Sequence, residues 1–255
     1  MGEAQAKTKA LLAKHPFCCF CGGAERSTTI DHQPARSLFD RKQWPEGYAF
    51  PACYSCNQES RKHENVLALL VRINASSVGY TEARRHEFQK YIRAMNNNFP
   101  DLLRILTSNE KRQYFRNERL PRPRGIGLSN LPMVGIGSDL ANESVNSVMK
   151  KLLKALHYRH TGHILPRGGS IELKWITNAY LHTLKEDQEF IGSLTGVPTL
   201  TRNGTDLSSQ FSYRYGIDLE KLVSAFVIVF RNSLIGIGIV AHDERIFQCE
   251  ADQAS

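Results

Sequence analysis

Two short stretches decide how this chain folds: Cys18-Cys19-Phe20-Cys21, and Cys53-Tyr54-Ser55-Cys56-Asn57, with Thr29-Ile30-Asp31-His32 between them. Each outer stretch contains a Cys-x-x-Cys pair, Cys18 with Cys21 and Cys53 with Cys56. Two such pairs supply four soft thiolates, the donor set of a closed tetrahedral zinc site. Cys19-x-Cys21 is too tight for the usual knuckle turn, so Cys18 is assigned to the metal and Cys19 is expected as a buried thiol. Cys249 has no partner in sequence and reads as a small hydrophobe. Met1 to Lys14 carries Lys7, Lys9 and Lys14 among alanines and does not read as a signal peptide. Reduced cysteines and a cytoplasmic setting are therefore expected, favouring metal over disulfides. A zinc held by four thiolates has no open position, so its role would be structural.

The staple would bring Asp31, His32 and Asn57 together, placing a carboxylate, an imidazole and a carboxamide near one another. Such a set is suited to one divalent cation of the Mg²⁺ or Mn²⁺ type and one general base.

Residues Phe17 to Ile73 resemble the HNH, or His-Me finger, nuclease superfamily, in particular its zinc-stapled branch of endonuclease VII type. The resemblance implies a ββα-metal unit with the Asp-His pair on the first strand and the last motif residue at the start of the helix. It implies His32 as general base, Asp31 and Asn57 as ligands of the catalytic cation, and hydrolysis of DNA to 5'-phosphate and 3'-hydroxyl ends. Phage, mobile-element and bacterial-defence settings are common in that family. The middle Asn of the family pattern falls here on Tyr48, whose phenol would have to serve as the orienting residue. A phenol cannot reproduce both the donor and the acceptor of a carboxamide. The alternative is a non-catalytic zinc module that binds nucleic acid or a protein.

Charge points to the same half of the chain. The net charge is +8, yet residues 1 to 125 hold 21 Lys and Arg against 12 Asp and Glu, while residues 126 to 255 hold 12 against 13. Such an excess suits a polyanion, because cationic side chains release counterions from phosphates. DNA is the expected partner. Arg61 and Lys62 follow Asn57 in an expected helix from Cys53 to Ile73, whose Val66, Leu67, Leu70 and Ile73 recur at helical spacing. Arg112, Arg116 and Arg119 lie around Tyr114 and Phe115, a mixture able to follow a phosphate backbone.

The organisation expected from these patterns is α+β. It comprises a zinc-stapled nuclease domain (1–75), a basic helical extension (76–120), a Pro- and Gly-rich linker (121–138) and a C-terminal α+β domain (139–255). The extension would hold a helix from Thr81 to Met95 and a short one from Pro100 through Leu106. The C-terminal domain would open with a helix from Asn142 to Tyr158. Strand-like runs follow at Ile171 to Thr177, Pro198 to Arg202, Phe211 to Tyr215, Val223 to Phe230 and Leu234 to Val240. Its role is open between protein partner and oligomer contact. Leu222 to Val240 is broken by Arg231, Asn232 and Ser233, so it reads as a buried hairpin rather than a membrane span. The His157, His160 and His163 series reads as polar surface at a helix end, and His63 and Glu64 as solvent-facing.

Overall fold

The computed structural model describes residues 3–73, 93, 96–97, 104–117, 134–135 and 139–243, except 179, 181–183 and 185–186. The class is α+β, with mixed helix and antiparallel sheet. The chain divides into two compact units. One joins Met1–Tyr80 to Ser144–Ser255, and the other is Thr81–Glu143. The separate N- and C-terminal domains expected from sequence are thus a single body. The reason lies in contacts between residues more than ninety positions apart, which no local pattern reports.

The spine of the first unit is the long helix Asp139–Thr161 from Ser144 onward. Its apolar stripe of Val145, Val148, Met149, Leu152, Leu153 and Leu156 is fully buried. Against it lies a four-stranded antiparallel sheet in the order β5 (Ser170–Thr177), β10 (Leu234–Ala241), β9 (Val223–Phe230), β8 (Phe211–Asp218), while β6 (Thr201–Arg202) and β7 (Thr205–Asp206) pair separately. Strands β9 and β10 form the expected hairpin, with Leu234 opposite Phe230. Two glycines let the helix approach β10. A Cβ on Gly236 would lie 2.0 Å from Met149 Cε, and one on Gly238 would lie 2.4 Å from Leu153 Cδ1. Met149 and Leu153 are one helical turn apart, so both glycines serve one seam.

The N-terminal segment packs on the same helix. After α1 (Glu3–Lys14), a two-stranded hairpin pairs β1 (Thr29–His32) with β2 (Ala49–Ala52), in a register that sets Asp31 opposite Phe50 and His32 opposite Ala49. The helix expected from Cys53 to Ile73 is two: α2 (Tyr54–Glu59) and α3 (Arg61–Ile73), separated at Ser60. Lys151 of the long helix accounts for the break. Its Nζ donates to the Cys56 carbonyl at 2.7 Å and to Ser60 Oγ at 2.6 Å. Further along, Lys154 Nζ donates to the Phe20 carbonyl at 2.9 Å, and the Tyr158 hydroxyl meets His15 Nδ1 at 2.6 Å. Positions 151, 154 and 158 share a face, distinct from the apolar seam.

The sheet reaches the hairpin by other links. Tyr48 Oη lies 2.8 Å from Tyr213 Oη, Arg231 pairs with Asp40 at 2.7 Å, and Ser233 Oγ donates to the Val71 carbonyl at 2.7 Å.

In the second unit, Arg104–Ile105 (β3) pairs with Val134–Gly135 (β4). The expected short helix through Leu106 is thus a strand over Arg104–Ile105, and the expected linker contributes its partner. The helix Ser108–Asn117 starts at a reciprocal cap. Glu110 N–H donates to Thr107 Oγ1 at 3.3 Å, and Thr107 N–H donates to Glu110 Oε2 at 2.8 Å. Arg112 and Arg116 are exposed on it, whereas Lys111 is buried. The expected helix from Thr81 to Met95, Arg93 aside, and Arg119 lie outside the described residues. Among those residues, no helix is long and apolar enough to cross a membrane.

Candidate metal centre and its histidine face

The four cysteines converge. The sulfurs of Cys18, Cys21, Cys53 and Cys56 all lie within 4.8 Å of one another, and they are the only such group of metal-ligating side chains among the described residues. Sulfurs at tetrahedral corners about 2.3 Å from a zinc would be separated by about 3.8 Å, so the set needs at most a small contraction. Local geometry prepares this. Gly22 and Gly23 adopt φ of +73° and +75°, turning the chain after Cys21. Phe20 N–H points at Cys18 Sγ at 3.4 Å, and Cys19 N–H ties the knuckle to the Pro51 carbonyl at 3.1 Å. Burial raises the Cys53 thiol, but hydrogen bonds from Ser55 and the Cys56 backbone outweigh it and lower it to about 7. Cys19 lies outside the cluster and is fully buried, with its thiol pushed up by desolvation.

Between the two Cys pairs, the pleat separates Asp31 from His32. Successive strand side chains point to opposite faces, and along β1 Asp31 is the buried residue. Its Oδ2 is in direct contact with Lys151 Nζ. Around that ammonium stand the Cys56 carbonyl and Ser60 Oγ, and Ser60 Oγ in turn donates to Glu64 Oε1 at 2.5 Å. Burial and the Asp31 charge raise the Glu64 carboxyl. Glu64 is therefore part of a half-buried polar cluster rather than solvent-facing. His63 is likewise half-buried, with Nδ1 3.0 Å from Ser144 Oγ.

Asp31 with Lys151 is a buried ion pair, which costs desolvation to form but much more to break on one side. Lys151→Met is expected to lower unfolding free energy by about 3–5 kcal/mol in a denaturant titration. The double variant Asp31→Asn, Lys151→Met should recover much of that loss. A single-variant cost below about 1 kcal/mol, the range of an exposed pair, would show that the pair does not hold the hairpin to the long helix.

His32 faces a different group. Its Nε2 lies 2.9 Å from an Arg36 guanidinium nitrogen, and its ring meets Trp44 edge-on with centroids 4.5 Å apart. Two cations stack on Trp44: Arg36 Cζ at 3.8 Å and Arg202 Cζ at 3.6 Å from the ring centroid. Burial first, then the charges of Arg36 and Arg202, lower the His32 pKa to about 4. The imidazole is thus neutral at pH 7, and Arg36, which has no acceptor, must be the donor to Nε2.

The remaining expected residues fall elsewhere. Asn57, in α2, uses its amide to tie the helix to β1, with Nδ2 donating to Thr29 Oγ1 at 3.1 Å and the Ile30 carbonyl at 3.2 Å. The Tyr48 phenol is buried against Tyr213 and under Arg159, whose Cζ lies 4.1 Å from its ring, and it does not orient His32. Its carbonyl does bear on the motif, accepting from Gln33 N–H at 3.2 Å. Arg61 and Lys62 are exposed at the start of α3. Sequence reading missed Arg36, Trp44, Lys151 and Arg202. Arg36 and Trp44 follow His32 closely, and a basic and aromatic surround was a usable signal. Arg202 and Lys151 come from distant segments.

No family model, curated protein or solved structure matches the chain.

Proposed function

We propose that the chain is a zinc-stapled nuclease of the HNH type, its Thr29–His32 and Ala49–Ala52 hairpin with α2 forming the ββα finger, and that it hydrolyses DNA phosphodiesters. The observation that carries this reading is the neutral His32 held beside Arg36 and Arg202 in the four-cysteine frame. Two guanidiniums stacked on one indole offer forked donors matched to phosphate oxygens. Arg36 occupies His32 Nε2 at rest. A phosphate that draws Arg36 to itself would free that lone pair to take a proton from water. The water oxygen then attacks phosphorus, the P–O3' bond breaks, and the leaving oxygen takes a proton from solvent. Arg36 and Arg202 would stabilise the charge that grows on the phosphoryl oxygens.

The Mg²⁺ or Mn²⁺ expected beside Asp31 and Asn57 does not fit these residues as they stand. The carboxylate is buried and neutralised by Lys151, and the Asn57 amide is turned into the hairpin. The cationic component of the reaction is therefore assigned to the arginines. Arg61 and Lys62, and separately Arg112 and Arg116 with Arg119, would add sequence-independent phosphate contacts.

The Asp31–Lys151 pair also favours a second reading, a zinc module that binds DNA without cutting it. Both readings need the arginine pair. Arg36→Ala with Arg202→Ala should weaken DNA binding across unrelated sequences and reduce the slope of log K against log salt by roughly two, about 0.9 per lost contact. An unchanged slope, measured by fluorescence anisotropy, would remove phosphate from this site.

A further inference from the structure

The structure assigns a second metal site to His157 and His242, remote in sequence from the four cysteines. His157 projects from the long helix and is fully buried, and His242 directly follows β10. Their Nε2 atoms face each other at 3.1 Å, with ring centroids 5.1 Å apart. Two nitrogens bound tetrahedrally at about 2.0–2.1 Å stand about 3.3–3.4 Å apart, and at a right angle about 2.9 Å apart. The observed separation lies between these values. It also suits a direct hydrogen bond, which leaves the fully buried His157 satisfied in the metal-free state.

What distinguishes the pair from a packing accident is the other nitrogen of His157. Its Nδ1 lies 2.7 Å from Ser224 Oγ on β9, and Ser224 is itself fully buried. With Nδ1–H donating to that hydroxyl, Nε2 presents its lone pair toward His242, the tautomer a metal-bound imidazole needs. Binding then requires one change: His242 moves its proton from Nε2 to Nδ1, and both neutral rings offer Nε2 to the ion with no net proton release. A third imidazole is at hand. His163, exposed and just past Gly162 (φ +75°), has its ring 6.2 Å from that of His242. Rotation of its side chain would complete three ligands, with water in the remaining positions. Neutral imidazoles suit Zn²⁺, Ni²⁺ or Cu²⁺ rather than Mg²⁺. His157, expected as polar surface, is instead the buried anchor of this site.

The test uses the full chain with its thiolate site already filled with zinc, titrated with NiCl₂ in a calorimeter. Ni²⁺ is the probe because it favours imidazole nitrogen and would leave the zinc thiolates in place. Wild type should bind one further equivalent. Ser224→Ala should weaken it about 10- to 100-fold by removing the partner of Nδ1. His242→Gln should abolish it, and His163→Ala should weaken it. Because His157→Gln lies in the core and its folding is at risk, the half-buried His242 carries the decisive variant. Absence of a further equivalent in wild type would overturn the site. So would full affinity in His242→Gln, since the metal would then reside on other histidines.

Discussion

Cys53→Ser should strip the metal from the four-cysteine centre and unfold the N-terminal segment that it closes. Three thiolates and a hydroxyl make a poor tetrahedral zinc site, and structural zinc contributes on the order of 10–16 kcal/mol of apparent binding energy that is also folding energy. That is comparable with the whole stability of an ordinary domain, about 5–15 kcal/mol. The elements that centre closes are short: β1 and β2 are four residues each, and α2 is six. A metal on the four thiolates would also position the Phe20 and Cys56 carbonyls that receive Lys154 and Lys151. Its loss should therefore be felt along the long helix. Metal analysis should find about one zinc per chain in wild type, filled by the four thiolates, and a collapsed thermal transition in the variant. A variant that melts within a few degrees of wild type would mean that the sulfurs only pack together.

His32→Ala should reduce the rate of DNA cleavage by roughly two to four orders of magnitude, the usual contribution of a positioned general base. Zinc content should be unchanged, because His32 is not part of the four-cysteine cluster and makes its contacts with Arg36 and Trp44. DNA affinity should stay near wild type, since the guanidiniums remain. The pH profile is a separate check. With its pKa lowered to about 4, His32 stays in the base form until the pH falls through that value. Activity limited by this group should thus hold through pH 6 and fall only near pH 4 to 5. Stability follows the same sign. His32, His157 and His160 are all lowered to about 4 by burial and neighbouring charge. An unfolded histidine takes its proton near 6.5, so the unfolded state binds more protons between these values. Acidification from pH 6.5 to 4 should lower the melting temperature.

Spacing alone picked out the four cysteines that converge and could hold a metal, because thiolate chemistry is local to each Cys-x-x-Cys turn. The strands of the sheet were legible for a similar reason: Val223–Phe230 and Leu234–Ala241 are rich in β-branched and aromatic residues around a polar turn. What could not be read was tertiary. Helical periodicity continues through Ser60, and the break comes from Lys151, a residue ninety-one positions away. Asp31 and His32 look like a pair in sequence, yet the pleat sends one to Lys151 and the other to Arg36. Tyr48 falls on the middle Asn position of the family pattern, but Tyr213 holds its phenol. The unit boundaries differ from the expected ones for the same cause, since Met1–Tyr80 joins Ser144–Ser255. The Pro- and Gly-rich stretch falls inside the second unit, Thr81–Glu143, where it supplies β4, and the chain returns to the first unit only at Ser144.

The most direct measurement is the conversion of supercoiled plasmid to open circle by zinc-loaded wild type and by His32→Ala, each with and without added Mg²⁺. Expected is nicking by wild type in both conditions and its loss in His32→Ala. Tight DNA binding by wild type with no nicking in either condition would contradict the nuclease reading and leave the binding module. Nicking that requires Mg²⁺ and disappears in Asp31→Asn would instead contradict the assignment of the cationic role to Arg36 and Arg202.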